Sequence, residues 1–138
     1  MAYWLVKSEP SAYSWERLVK EGNAGWDGVR NHQAAANLKA MKVGDRAFFY
    51  HSNEGLAVVG IAEITKPAYP DPSDKTGKFV MVDLKPVAPM KTPVALTAIK
   101  AEPKLKDIAL VKNSRLSVQP VDAAAWKLIC KMGGVKPE

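Results

Sequence analysis

Cysteine is almost missing from this chain. Cys130 is the single one, so no intramolecular disulfide can form and a cysteine-built zinc site has no support. Histidine is nearly as scarce: His32 and His51 fall on different predicted elements, and neither stands at metal-ligand spacing from Asp, Glu or Cys130. No apolar run approaches the roughly 20 residues that a membrane-spanning helix needs. The first residues lack the basic, apolar and small-residue succession of a secretory signal. Nor is there a phosphate-cradling glycine loop with its lysine, a dinucleotide fingerprint or a Gly-x-Ser-x-Gly elbow. These absences leave membrane insertion, a metal, a cofactor and the common hydrolase chemistries without support. The expected protein is cytoplasmic, cofactor-free and monomeric.

What remains is ordinary for a globular domain, with 47% hydrophobic and 25% charged residues. A chain of 138 residues fits one domain, expected to span 1–138, and buries roughly two-thirds of its unfolded surface. Charge is the less ordinary feature. Residues 1–69 hold 8 basic and 7 acidic side chains, whereas residues 70–138 hold 12 and 7, so the halves carry +1 and +5 of the net +6. A basic surface attracts polyanions, because phosphate contacts release condensed counterions, although the same excess also serves solubility.

The pattern of residues predicts several strands with short helices between them. Tyr3 to Lys7 is aromatic and β-branched and reads as a strand, stopped at Ser8-Glu9-Pro10. Ser14 caps a short helix that ends near Gly22, and Asn31 caps a second one from His32 to Met41. Between them, Gly25 to Arg30 is too glycine-rich for an element interior and reads as an ordered loop. Arg46–His51 and Leu56–Ile64 form a hairpin across the turn Ser52-Asn53-Glu54-Gly55. Lys66 to Lys78, with three prolines and few apolar residues, is the expected mobile loop. A strand over Phe79–Leu84 follows, then a proline-bearing stretch, and short helical pieces and turns from Leu96 to Ala109. Leu116–Val121 reads as a short strand, and Asp122 caps a last helix closed by Gly133-Gly134. Strands and helices in this mixture favour an α+β domain on a curved sheet or barrel.

Three clusters carry chemistry. Lys7-Ser8-Glu9-Pro10 is either a polar strand end lining a site or simply a terminator. In Trp26-Asp27-Gly28-Val29-Arg30-Asn31, an indole, a guanidinium and an amide offer a stacking face and directional donors suited to a nucleobase. The alternative is a Trp26 that plugs the core and an Asn31 that only caps a helix. Tyr50-His51-Ser52, at the hairpin turn, either lines a pocket mouth or forms the turn. Arg115 is a candidate phosphate contact or a surface ion-pair partner. Trp4, Trp15, Trp126 and Cys130 read as core residues.

Taken with Val59-Gly60-Ile61 and Arg115-Leu116-Ser117-Val118-Gln119-Pro120-Val121, these clusters resemble the successive motifs of the EVE domain, in order, from Tyr3 to Gly134. The chain is similar to the small stand-alone bacterial EVE proteins. That resemblance implies a PUA-like fold, a curved β-barrel flanked by short α-helices, related to YTH and ASCH domains. It also implies a pocket for a modified base in DNA or RNA. Carried onto this sequence, the base-binding residues are Ser8, Trp26 as the stacking wall, Arg30, Asn31, His51 and Ser52, with Lys7 and Arg115 as weaker phosphate or backbone contacts. No catalytic residue and no metal is implied.

The expected function is therefore a non-catalytic reader of modified nucleic-acid bases, in which Trp26→Ala abolishes binding and leaves the fold intact. The rival expectations are an ASCH-like enzyme that processes nucleotides or nucleic acid, with Lys7 or Glu9 as base or nucleophile, and a small-molecule sensor.

Overall fold

A computed structural model describes residues 1–137 of the chain. Its frame is a mixed six-stranded sheet with short helices on both faces. β1 (Tyr3–Ser8) leads into α1 (Trp15–Glu21), a two-residue strand β2 (Ala24–Gly25) and α2 (His32–Ala40). The hairpin β3 (Arg46–His51) and β4 (Ala57–Pro70) continues into β5 (Val80–Ala95). Then come α3 (Leu96–Ala101), a 3-10 turn at Pro103–Leu105, α4 (Ala109–Lys112), β6 (Val118–Val121) and α5 (Ala123–Met132). The sheet order is β2-β5-β4-β3-β1-β6. Only β1 and β3 run parallel, so the segment joining them must cross over, and it carries α1, β2 and α2.

Helix boundaries follow local chemistry. Ser14, Asn31 and Asp122 each adopt extended backbone and accept an amide from the third residue onward, satisfying an otherwise orphaned donor. The central strands are apolar on both sides, and their alternation sorts side chains into two cores. Trp4, Val6, Ala47 and Phe49 meet Trp15, Leu18, Ala34 and Leu38 from α1 and α2. Leu5, Phe48 and Tyr50 instead meet Ile99, Leu105, Leu110, Trp126 and Ile129. Trp126 is stacked between Phe48 and Tyr3, at centroid distances of 3.9 and 4.5 Å. Cys130 lies buried in that second core, where burial pushes its thiol up to about 11. It packs as an apolar side chain.

The sheet is curled, and it is not a hydrogen-bonded barrel. β5 and β6 stand four strand intervals apart in the order, roughly 19 Å across a flat sheet at ~4.8 Å per interval. Yet α2, a helix about 10 Å wide, packs against both β5 and β6, with Asn37 Nδ2 donating to Val118 O at 2.7 Å. The sheet therefore rolls around α2. Its edges β2 and β6 do not pair, so a seam stays open where a barrel would close.

Two stretches differ from the sequence expectation. Lys66–Pro70, expected within a mobile loop, extends β4, and the remaining tip is fastened by two aspartates. β5 also runs on past Leu84 through Pro86, Pro89 and Pro93. Proline is tolerated there because β2 covers only Asp83 and Leu84, which leaves most of β5 as a free edge on that side.

Candidate functional site

The open seam holds a cleft of about 720 Å³, inside the roughly 300–1,000 Å³ range of ordinary ligand sites. One wall is the end of β1, Lys7 and Ser8, with Ser117 beside it. A second is the turn into α1 and its exposed side: Tyr13, Arg17 and Glu21. The third runs from β2 through the loop that follows, Trp26 to Arg30. The edge strand β2 and Ser117, the residue just before the other edge strand β6, thus face one space.

Aromatic rings meet at right angles beneath this space. Trp26 stands edge-on to Tyr13, at 6.1 Å and 89°, and to Phe49 at 5.4 Å and 84°. It is only 8% exposed and belongs to the first core, whereas Tyr13 is half-buried. Tyr13 Oη donates to Glu21 Oε1 at 2.6 Å, and the Arg17 guanidinium lies over the Tyr13 ring at 5.0 Å while pairing with Glu21 at 3.3 Å. That hydrogen bond holds the Glu21 carboxyl below its ordinary pKa, and burial followed by the same bond pushes the Tyr13 phenol up. Ser8 Oγ donates to Tyr13 O at 2.7 Å, locking the α1 turn onto the strand end. Lys7 Nζ donates to Ser114 O at 2.8 Å, and burial lowers its pKa.

The loop wall is fixed by a residue that sequence reading did not single out. Asp71 has no side-chain exposure and accepts from Gly28 N at 2.9 Å and from Arg30 Nη1 at 3.0 Å with one oxygen. Its other oxygen accepts from Ser73 N at 2.8 Å and Ser73 Oγ at 2.6 Å. Burial alone would raise its pKa, but the Ser73, Gly28 and Arg30 donors hold it down at about 2.

The structure brings together Lys7, Ser8, Trp26 and Arg30 of the expected residues, and adds Tyr13, Arg17 and Glu21. Asn31, His51, Ser52 and Arg115 do not line the cleft. Asn31 Oδ1 is engaged as the cap of α2, accepting from Ala34 N at 2.9 Å. His51 Nε2 accepts from Trp15 N at 3.1 Å, and Ser52 N donates to Ser8 O at 2.9 Å. Arg115 is exposed before β6. The available signal for Tyr13 was its place between a strand end and a helix cap. Asp71 gave none, because a lone acid among prolines reads as a loop residue. Among the described residues, no group of three or more His, Cys, Asp or Glu could hold a metal ion. Nor, among the described residues, is any helix long and apolar enough to cross a membrane.

These features define a class: an α+β domain whose curled sheet leaves a ligand-sized, aromatic-floored opening at its seam. The family model "EVE domain" matches residues 2–132, and the chain belongs to that family. Mouse thymocyte nuclear protein 1 is 37% identical, over 98% of this chain and 75% of that protein. The NMR structure of a Rhodopseudomonas palustris protein is 63% identical, with a TM-score of 0.92 over 97% of this chain and 94% of that one. The crystal structure of human THYN1 protein in complex with 5-methylcytosine-containing DNA is 33% identical, with a TM-score of 0.91 over 99% of this chain and 100% of that one.

Proposed function

We propose that the protein is a non-catalytic reader of modified nucleic-acid bases, which it holds in the cleft at the sheet seam. The observation that carries this reading is the cleft itself, where the Tyr13 and Trp26 rings lie beside the polar strand end Lys7-Ser8. Such a set offers a flat apolar contact and donors for a base edge together. The complex of the human relative with 5-methylcytosine DNA supports it. Lifting a base from its stack costs a few kcal/mol, offset by ring contacts and edge hydrogen bonds in the cleft. A methyl-sized substituent that fills a matching space adds roughly 1–3 kcal/mol of preference.

The groups nearest to a catalytic role do not favour an enzyme. The Lys7 ammonium is bound to a main-chain carbonyl, and Glu9 lies exposed on the surface. The direct test is fluorescence anisotropy with two labelled duplexes that differ by one 5-methylcytosine. Tighter binding of the methylated duplex, by about fivefold or more, is expected. Equal affinity for both, and for duplexes carrying other methylated bases, would overturn the reading. Tyr13→Ala should weaken binding of the preferred duplex about tenfold, the scale of one base–ring contact, without unfolding the protein.

A further inference from the structure

We infer that Asp71 is a positioning residue for this cleft: its buried carboxylate latches the Trp26–Arg30 wall to the tip of the β4–β5 hairpin, and Arg30 serves as the other half of that latch. The consequence for binding rests on the base-reading function proposed above.

Trp26 and Val29 are buried in the first core, and between them Asp27 and Gly28 are exposed. Trp26 N donates to Val82 O at 2.7 Å, which continues the short β2–β5 pairing, but β2 itself ends at Gly25. Gly28 then turns the chain at φ +77°, a conformation that favours glycine, and this points its amide at Asp71. The Arg30 guanidinium reaches the same carboxylate, and its Nη2 donates to Ser73 Oγ at 2.9 Å. Arg30 also lies 5.4 Å over the Phe79 ring, across the base of the same tip.

The tip is itself rigid enough to serve as the fixed side. Asp71 N donates to Phe79 O at 3.2 Å. Asp74 accepts from the amides of Thr76, Lys78 and Phe79 and from the Thr76 hydroxyl. Both Asp71 oxygens are thus engaged by four donors, two from the wall side and two from Ser73. Swinging the wall away would strand a buried carboxylate with half its partners, so the closed arrangement is strongly favoured. A wall held this way is set before a base arrives. The Arg30 donors committed to Asp71 and Ser73 are not available to read a base edge.

The test compares Asp71→Asn, Arg30→Ala and their combination. Amide exchange in the free protein reads the latch without any ligand: Gly28 and Val29 amides should exchange faster in each single variant. With the methylated and unmodified duplexes, each variant should lose about twofold to threefold in the ratio of the two affinities, the share of the preference that a pre-set wall supplies. The double variant should lose no more than Asp71→Asn alone, because both substitutions break one latch. A further loss of the same size in the double variant would place Arg30 on the base and overturn its assignment. Unchanged Gly28 exchange in Asp71→Asn would overturn the latch. If that variant fails to fold, Arg30→Ala and Ser73→Ala, at exposed positions, carry the same two measurements. Failure of the wild-type protein to distinguish the duplexes would remove the base-reading function, while amide exchange would still decide the latch.

Discussion

Trp26 has two jobs that pull against each other when it is mutated. With 8% exposure and two edge contacts, it is a core residue that shows only a margin to the cleft. Trp26→Ala should therefore cost about 3–5 kcal/mol of stability, measured by denaturant unfolding, where the sequence alone led to the expectation of an intact fold. Trp26→Phe keeps a ring in place and separates the two roles. Asp71 makes a pH prediction. Its folded pKa of about 2 lies below the ordinary 3.8, so its contribution to stability is complete above about pH 4 and is lost as pH falls toward 2. Thermal unfolding scans should show an acid-side decline that is shallower in Asp71→Asn across that window. His51 has the opposite charge chemistry. Burial holds its pKa below 6.5, with Glu16 opposing, and Nε2 must stay unprotonated to accept from Trp15 N. Stability linked to His51 is thus present above pH 6.5 and declines as pH falls below it. Asn31 and His51 also show what sequence could not resolve at this scale. The same polar atoms that suit a ligand suit a helix terminus, and only the fold decides which donor lies closest.

The elements most legible in the sequence were those with a chemical start and stop. α1, α2 and α5 begin at Ser14, Asn31 and Asp122 as their side chains dictate, and β3 alternates between two cores as its apolar run implies. β2 was not legible because two residues carry no periodicity, and its pairing depends wholly on β5. The continuation of β4 to Pro70 and of β5 through three prolines was hidden for a related reason. Proline forbids a strand only where its missing amide is needed, and the identity of the free edge is a tertiary fact. Close packing between elements was likewise invisible. Gly60 on β4 lies under the Trp15 ring of α1, and a Cβ there would sit 2.6 Å from three ring atoms. Gly60→Ala should destabilise the protein by roughly 1–3 kcal/mol in denaturant unfolding, since neither a central strand nor a buried indole can step aside cheaply.

At the scale of the whole molecule, recognition and charge are separated. The cleft draws on residues from the near-neutral first half apart from Ser117, and its acid Glu21 pairs with its cation Arg17. Lysines of the second half lie elsewhere: Lys104, Lys127 and Lys131 line a smaller depression of about 340 Å³ over the other core, beside Leu105 and Ala125. The curl of the sheet accounts for this division, because it brings β2 near the start of β6 at one mouth and leaves the α5 side for solvent and diffuse contacts. Reversing those lysines should lower affinity for all duplexes alike and flatten its salt dependence, with base preference unchanged. The central claim is that a modified base enters the seam, and mapping the contact tests it most directly. A nitrogen-15 NMR titration with the methylated duplex should first perturb Lys7, Ser8, Tyr13, Trp26 and Asp27. Perturbation confined to Lys104, Lys127 and Lys131, with the seam unchanged at saturation, would contradict it.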